Sequence, residues 1–151
     1  MGDGLINADL SGWKTLGNVA LDVHDYFAGT GGSGYTDDGE NVSSGYRSTL
    51  KGSAYSGTAA SQEQYLDVSL AAARRWDIPL IVGEWGAFAD LPGIDAYQQQ
   101  MVSLFEADGV SWARWSLDNT ERLGLLSRDF TPKPAAEQLA QLIAASAASG
   151  G

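Results

Sequence analysis

The chain has 151 residues with 9 basic and 19 acidic side chains, which gives a net charge of −10 at neutral pH. This charge excludes an ordinary nucleic-acid-binding protein, because such proteins draw most of their affinity from Lys and Arg set against phosphates. The apolar share of 44% predicts one hydrophobic core and excludes a disordered polymer.

Two residue types that dominate metal and redox sites are scarce. Cys is absent and His24 is the single histidine, which excludes disulfides, a thiolate nucleophile and a histidine-rich metal site within one chain. No cofactor is predicted. Met1 leads directly into Gly-Asp-Gly, and no signal peptide or apolar membrane span of roughly 18 residues is visible. The sequence therefore predicts a soluble chain whose cellular location is left unassigned.

The first predicted element is a strand over Asn18–Val23, an apolar run that ends at His24. Residues 1–17 form an N-terminal segment in which only Leu5-Ile6 suggests the remnant of a preceding strand. The domain proper is predicted to span 18–145, followed by a flexible tail over 146–151.

Residues 28–60 are rich in Gly, Ser, Thr, Tyr and Asp and have no sustained period, which predicts a long loop. Loops of this length are uncommon in compact domains and often bind or cover a ligand. The interleaved Tyr35, Tyr46 and Tyr55 are consistent with a binding loop. An equal alternative is a Gly-rich surface insertion whose tyrosines merely pack against the rest of the domain.

Helices and strands alternate through the rest of the chain. In order, they are a helix over 61–76, a strand over Ile78–Gly83, a helix over Ile94–Ala107, a strand over Val110–Trp115 and a helix after Pro134. Ser61 and Gln64 form a capping-box pattern, and Gly109 suits a left-handed helix terminator. Strands alternating with helices predict an α/β fold of βαβ units with right-handed crossovers and a parallel sheet.

Polar and aromatic residues follow the three predicted strands. They are His24 and Tyr26, then Glu84 and Trp85, then Trp115. In parallel α/β folds this carboxyl edge of the sheet is where active sites are built. Glu84 is the most informative, because a carboxylate directly after an apolar strand is costly if it is buried without partners. Taken singly, these residues also have purely structural interpretations: Glu84 as a polar residue at the end of a strand, His24 as a core histidine, and the tryptophans as core residues.

Taken together, three strings resemble one family. Residues 19–27 (VALDVHDYF), 78–87 (IPLIVGEWGA) and 110–116 (VSWARWS) resemble the sixth, seventh and eighth strands of family five glycoside hydrolases. This is the cellulase family of (β/α)8 (TIM) barrels, whose members are often secreted. The resemblance extends from Asn18 to Ile143 and implies a partial barrel of three to four βα units, since a complete one takes roughly 250 residues.

The resemblance also implies roles for single residues. Glu84 matches the retaining nucleophile, His24 and Tyr26 match the pair that borders it, and Trp115 matches the tryptophan that floors the adjoining sugar subsite, with Trp85 as a second substrate-binding residue. Trp112 is the alternative to Trp115. The two differ by an odd number of positions and face opposite sides in a regular strand, and we predict that Trp112 packs between sheet and helix.

The sequence departs from the family at the acid/base. That residue is a Glu following an Asn on strand four, and no Asn-Glu dipeptide occurs here; Glu40-Asn41 has the reverse order. The family's Arg and His on strands two and three are also missing. The chain therefore resembles the second half of a barrel, whose open edges and uncovered face predict pairing into a homo-oligomer.

We interpret the sequence as a segment of a β-glycoside hydrolase of the endoglucanase type, active only if a partner chain supplies the acid. A β-linked oligo- or polysaccharide is the expected substrate, and neither nucleic acid nor a membrane is expected as a partner. A non-catalytic carbohydrate-binding or truncated module and an engineered half-barrel assembly module are the alternatives. The exact polysaccharide stays open.

Overall fold

A computed structural model describes residues 7–27, 46–47, 59–119 and 123–149. For 25–27, 46–47, 59–65, 68 and 149 it describes the backbone alone. The elements are α1 (Ser11–Lys14), β1 (Leu21–Phe27), β2 (Tyr46–Arg47), α2 (Ala59–Trp76), β3 (Leu80–Ala87), α3 (Ile94–Asp108), β4 (Ser111–Arg114) and α4 (Pro134–Ser149). None of the helices within these ranges is long and apolar enough to cross a membrane.

The strands form one parallel sheet in the order β2-β1-β3-β4. Helix α2 connects to β3 after β1 and β2, and α3 connects β3 to β4, so that helices and strands alternate as predicted. The α/β class and the parallel sheet are thereby confirmed. Parallel strands bring all their carboxyl ends to one edge, which is the edge where β1, β3 and β4 carry the predicted site residues.

Helix α3 shows why the chain forms these elements. Tyr97, Met101 and Phe105 recur at helical spacing, and all three are buried. The helix ends at Gly109, which has a φ of 62° and whose N–H bonds the carbonyls of Glu106 and Phe105. A left-handed φ favours glycine, so the predicted terminator is confirmed.

Strands β1 and β3 extend further toward their carboxyl ends than predicted, whereas β4 is shorter than the predicted 110–115. β1 extends through Phe27 and β3 through Ala87, and these two residues lie opposite each other. His24 and Glu84 therefore lie within strands, and the prediction that Glu84 follows its strand is wrong. The reason is pairing: the ladder between β1 and β3 continues past the apolar residues that mark each strand in the sequence, and it satisfies the backbone N–H and C=O groups there.

Two other boundaries also differ. Part of the predicted loop, Tyr46–Arg47, pairs with β1 as strand β2, while Tyr35 and Tyr55 lie outside the described residues. Helix α2 begins at Ala59, so Ser61 lies inside it and is not its cap. Ala59 and Ala60 are strong helix formers and extend the helix upstream.

The two ends of the chain also contain helix. Within 1–17, Ser11–Lys14 is helical, while Leu5 and Ile6 lie outside the described residues. Helix α4 continues to Ser149, so residues 146–149 of the predicted tail are helical. Alanines at 147 and 148 favour this continuation.

The described helices and sheet share one hydrophobic core. Val82, Trp85, Met101 and Phe105 are fully buried there, and side chains of α2 and α4 join the same cluster. On the opposite face of the sheet, Asp22, Ser111 and Ala113 are exposed. The sheet thus has a face that packs against helices and an open face, and we call the latter the inner face because a closed barrel would enclose it.

Candidate active site

His24 and Glu84 meet on neighbouring strands. β1 and β3 are hydrogen-bonded, and their register places His24 directly opposite Glu84. The His24 Nδ1 atom lies 3.1 Å from Glu84 Oε2, and the two side chains are 41% and 29% exposed. The structure therefore brings together the predicted nucleophile and one of its two predicted neighbours, on a face that a substrate can reach.

Asp22 is a third polar side chain of this site and is absent from the predicted set. Its Oδ1 accepts a hydrogen bond of 2.9 Å from the Gly83 N–H, and its Oδ2 lies 3.6 Å from His24 Nε2. The signal that could have found it is period two: Asp22 and His24 are two residues apart in one strand and share a face. That signal was hidden because the strand was predicted to end at Val23.

Tyr26 lies in β1, where its backbone pairs with Gly86 on one side and Tyr46 on the other. Its side chain lies outside the described residues. The expectation that Tyr26 borders the nucleophile therefore stays a prediction.

The carboxyl end of β3 is held by side chains from two other elements. The Tyr97 hydroxyl of α3 donates to the Gly86 carbonyl over 3.2 Å inside the core. The Arg114 Nη2 atom of β4 donates to the Ala87 carbonyl over 2.8 Å. A Cβ at Gly86 would overlap the backbone carbonyl of Trp115 as well as the Arg114 guanidinium, so only glycine fits there. These bonds fix the backbone that carries Glu84.

The two tryptophans around β4 have different surroundings. Trp112 packs against Trp85 and Phe105 with ring centroids 5.4 and 6.0 Å apart, which confirms that it lies between sheet and helix. Trp115 is 40% exposed, and its backbone N–H donates to the Trp85 carbonyl over 3.0 Å. Trp115 thus stands at the carboxyl edge beside β3, and its stacking role stays a prediction.

Trp85 differs from what was expected of a substrate-binding residue. Its side chain is fully buried in the core, with Phe105 5.5 Å and Tyr97 6.0 Å away between ring centroids. An indole with no exposed surface cannot contact a sugar, so we correct this assignment and place Trp85 in the core. The reason is alternation: Trp85 is adjacent to Glu84 and points to the other face.

The site is therefore an acidic pair of side chains around one imidazole at the open face of the sheet. Within the described ranges, no group of three His, Asp or Glu side chains has an arrangement that could hold a metal ion. A carboxylate held on a fixed strand and open to solvent can attack an electrophilic carbon or share a proton with a neighbour.

Comparison with known proteins then identifies the family. The model of the cellulase family (glycosyl hydrolase family 5) matches residues 11–121, which is well over half of the chain. The chain belongs to this family. A search of curated proteins gives no significant match. The resemblance read from the three strand sequences is thereby confirmed.

Solved structures show the same fold. Cellulose synthase subunit Z (CcsZ) from Clostridioides difficile superposes with a TM-score of 0.60 at 18% identity, covering 81% of this chain and 40% of that chain. XacCel5A in complex with cellopentaose gives a TM-score of 0.57 at 15% identity, covering 93% and 40%. Endo-glycoceramidase II from Rhodococcus sp. gives 0.51 at 22% identity, covering 62% and 23%.

At these identities the likeness shows the fold alone. It confirms the partial (β/α)8 barrel. This family member spans about 40% of the length of the first two structures. The strands that would complete the ring therefore have no counterpart in the described part of the chain.

Proposed function

We propose that this chain is the nucleophile-bearing segment of a retaining β-glycoside hydrolase of the endoglucanase type, and that a second chain must supply its acid/base. The observation that supports this most is the placement of Glu84 on the open face of the sheet, 3.1 Å from His24, in a member of glycosyl hydrolase family 5.

The chemistry needs two carboxyl groups about 5 Å apart. Glu84 attacks the anomeric carbon, the bond to the leaving sugar breaks, and an acid protonates the leaving oxygen. A water then releases the sugar from Glu84 with the second carboxylate acting as base. The Tyr26 hydroxyl holds the nucleophile by a hydrogen bond, His24 orients a sugar hydroxyl, and the exposed ring of Trp115 stacks on a pyranose.

A second copy of the chain is the partner that the sheet favours. Each copy contributes four strands, and two copies contribute the eight of a closed barrel. Closure of the barrel would cover the inner face, where Asp22, Ser111 and Ala113 are exposed in a single copy. A twofold dimer is the commonest assembly of soluble proteins. In such a ring the partner copy of Glu84 lies four strands away, at the place of the third strand.

That position adjoins the strand on which the family carries its acid. Two carboxylates that share one dry pocket cannot both ionise easily, so one of them keeps a proton near neutral pH. In the assembly, the Glu84 of the second copy would thus serve as the acid that a single copy lacks.

We expect light scattering at several concentrations to give at least a dimer. Hydrolysis of cellopentaose per chain should rise with protein concentration as the assembly forms, and Glu84→Gln should assemble equally well without cleaving. A stable monomer at micromolar concentration would contradict the assembly. A monomer that cleaves cellopentaose would contradict the need for a second chain.

A non-catalytic carbohydrate-binding role is the second candidate, and the exposed indole of Trp115 favours it. Calorimetric titration with cellopentaose separates the two. Binding that Trp115→Ala removes, without any turnover in the assembled protein, would favour the binding module. An assembly that neither binds nor cleaves cellopentaose would favour the third alternative, an engineered half-barrel assembly module.

A further inference from the structure

Gly83 is an extra residue in β3. The register pairs Val23 with Val82 and His24 with Glu84, so Gly83 has no partner on β1. The register with β4 also shifts between Val82 and Trp85. This is a β-bulge, which locally takes one residue out of the ladder and redirects the side chains that follow.

The bulge decides which face Glu84 occupies. Val82 and Trp85 are both fully buried in the core, although they are three positions apart and would face opposite sides in a regular strand. One inserted residue resolves this conflict. It leaves Val82 and Trp85 on the helix side and turns Glu84 to the inner face opposite His24. In a regular strand with Val82 in the core, Glu84 would also face the core and Trp85 would face the inner side.

The Asp22 carboxylate binds the bulge directly. The Gly83 N–H, left without a β1 partner residue, donates to Asp22 Oδ1 over 2.9 Å. A Cβ at Gly83 would overlap that carboxylate, so the glycine and the aspartate fit each other as a pair. Hydrogen bonds to an ionised acceptor are among the stronger ones in proteins.

The other oxygen of Asp22 faces the imidazole. Oδ2 lies 3.6 Å from His24 Nε2, while Nδ1 on the far side of the ring lies 3.1 Å from Glu84. His24 therefore stands between two carboxylates, one at each nitrogen. A neutral imidazole has one N–H donor, and the acceptors around it determine which nitrogen holds the proton.

We propose that Asp22 is a positioning residue for this site: it fixes the Gly83 bulge that directs Glu84 to the inner face, and its second carboxylate oxygen orients the His24 ring from the Nε2 side. The effect on catalysis rests on the proposed function. The two structural effects do not, because they concern the backbone and the imidazole of the protein without substrate.

Amide exchange and imidazole NMR test both effects in the 15N-labelled full chain, where His24 is the single histidine and its ring signals are unique. Asp22→Ala should speed exchange of the Gly83 amide at least about tenfold, which corresponds to ~1.4 kcal/mol. Asp22→Asn should keep slow exchange, since its amide oxygen still accepts. Its NH2 group then faces Nε2 in place of the Oδ2 acceptor, which should change both ring 15N shifts.

Asp67→Asn is the matched control, because Asp67 is an exposed carboxylate on α2. It should change neither the Gly83 exchange rate nor the His24 shifts. Unchanged Gly83 exchange in Asp22→Ala, or His24 shifts in Asp22→Asn equal to those of the parent protein, would overturn the proposal.

Gly83→Ala keeps the proposal testable if Asp22→Ala fails to fold. The added Cβ overlaps Asp22, so this variant should lower the denaturation midpoint, and adding Asp22→Ala should recover part of the loss. Simply additive losses would count against the paired fit. If Glu84 of the parent protein reacts with no glycoside, the proposed function fails, while exchange and ring shifts still decide the role of Asp22.

Discussion

Replacing Trp85 by Ala is expected to lower the free energy of unfolding by about 3–5 kcal/mol, the usual cost of removing a large aromatic side chain from a core. Trp85 is fully buried and lies among Tyr97, Phe105 and Trp112 with ring centroids 5.4 to 6.0 Å away. The cavity would open at the centre of the contact between β3 and α3. Urea denaturation of the assembled protein at one fixed concentration measures the change.

Trp115→Ala is the matched control, since it removes the same side chain from a position that is 40% exposed. We expect a loss of about 1 kcal/mol or less, because surface substitutions away from packed features cost little. A larger loss at Trp115 than at Trp85 would exchange the two roles and return Trp85 to the candidate sugar site.

Glu84→Gln is expected to remove hydrolysis of cellopentaose altogether. The amide has nearly the shape of the carboxylate but cannot form the glycosyl ester, and loss of a nucleophile in a serine protease costs on the order of 10⁶ in kcat. Initial rates of the assembled protein, compared with those of Asp67→Asn, give the measurement. A Glu84→Gln variant that keeps more than a tenth of the parent rate would exclude Glu84 as the nucleophile.

The sequence was enough to predict the order of the main elements and the meeting of His24 and Glu84. Apolar runs and helical spacing mark these elements locally, and parallel strands must align their carboxyl ends. Gly109 ends α3 as expected for the same reason, because a helix terminator is a local feature.

Features set by contacts between distant segments were harder to predict. β2 exists only because Tyr46–Arg47 pairs with β1, and nothing in that Gly- and Ser-rich stretch marks a strand. The Gly83 bulge likewise depends on the register of β3 against both neighbours. Asp22 could not be assigned to the site before the strand that contains it was known to reach His24.

Trp85 is a different case, because the sequence held the needed signal. Glu84 and Trp85, like Trp112 and Trp115, are an odd number of positions apart and therefore face opposite sides of a regular strand. A glutamate that faces a substrate implies that its neighbour in the strand faces the core. The burial of Trp85 is the outcome that this spacing requires.

The central claim is that this chain carries the nucleophile whether or not an acid is present, and covalent labelling tests it most directly. A 2,4-dinitrophenyl 2-deoxy-2-fluoro-β-cellobioside has a leaving group that departs without protonation, so the missing acid does not matter. Peptide mass mapping then locates the trapped sugar. Tryptic cleavage separates Glu84, in 76–114, from Asp22 and Asp25, in 15–47, and from Asp118, in 115–122. We predict one added sugar, on Glu84, and its absence in Glu84→Gln; a sugar on Asp22, Asp25 or Asp118, or no labelling of the parent protein, would contradict the claim.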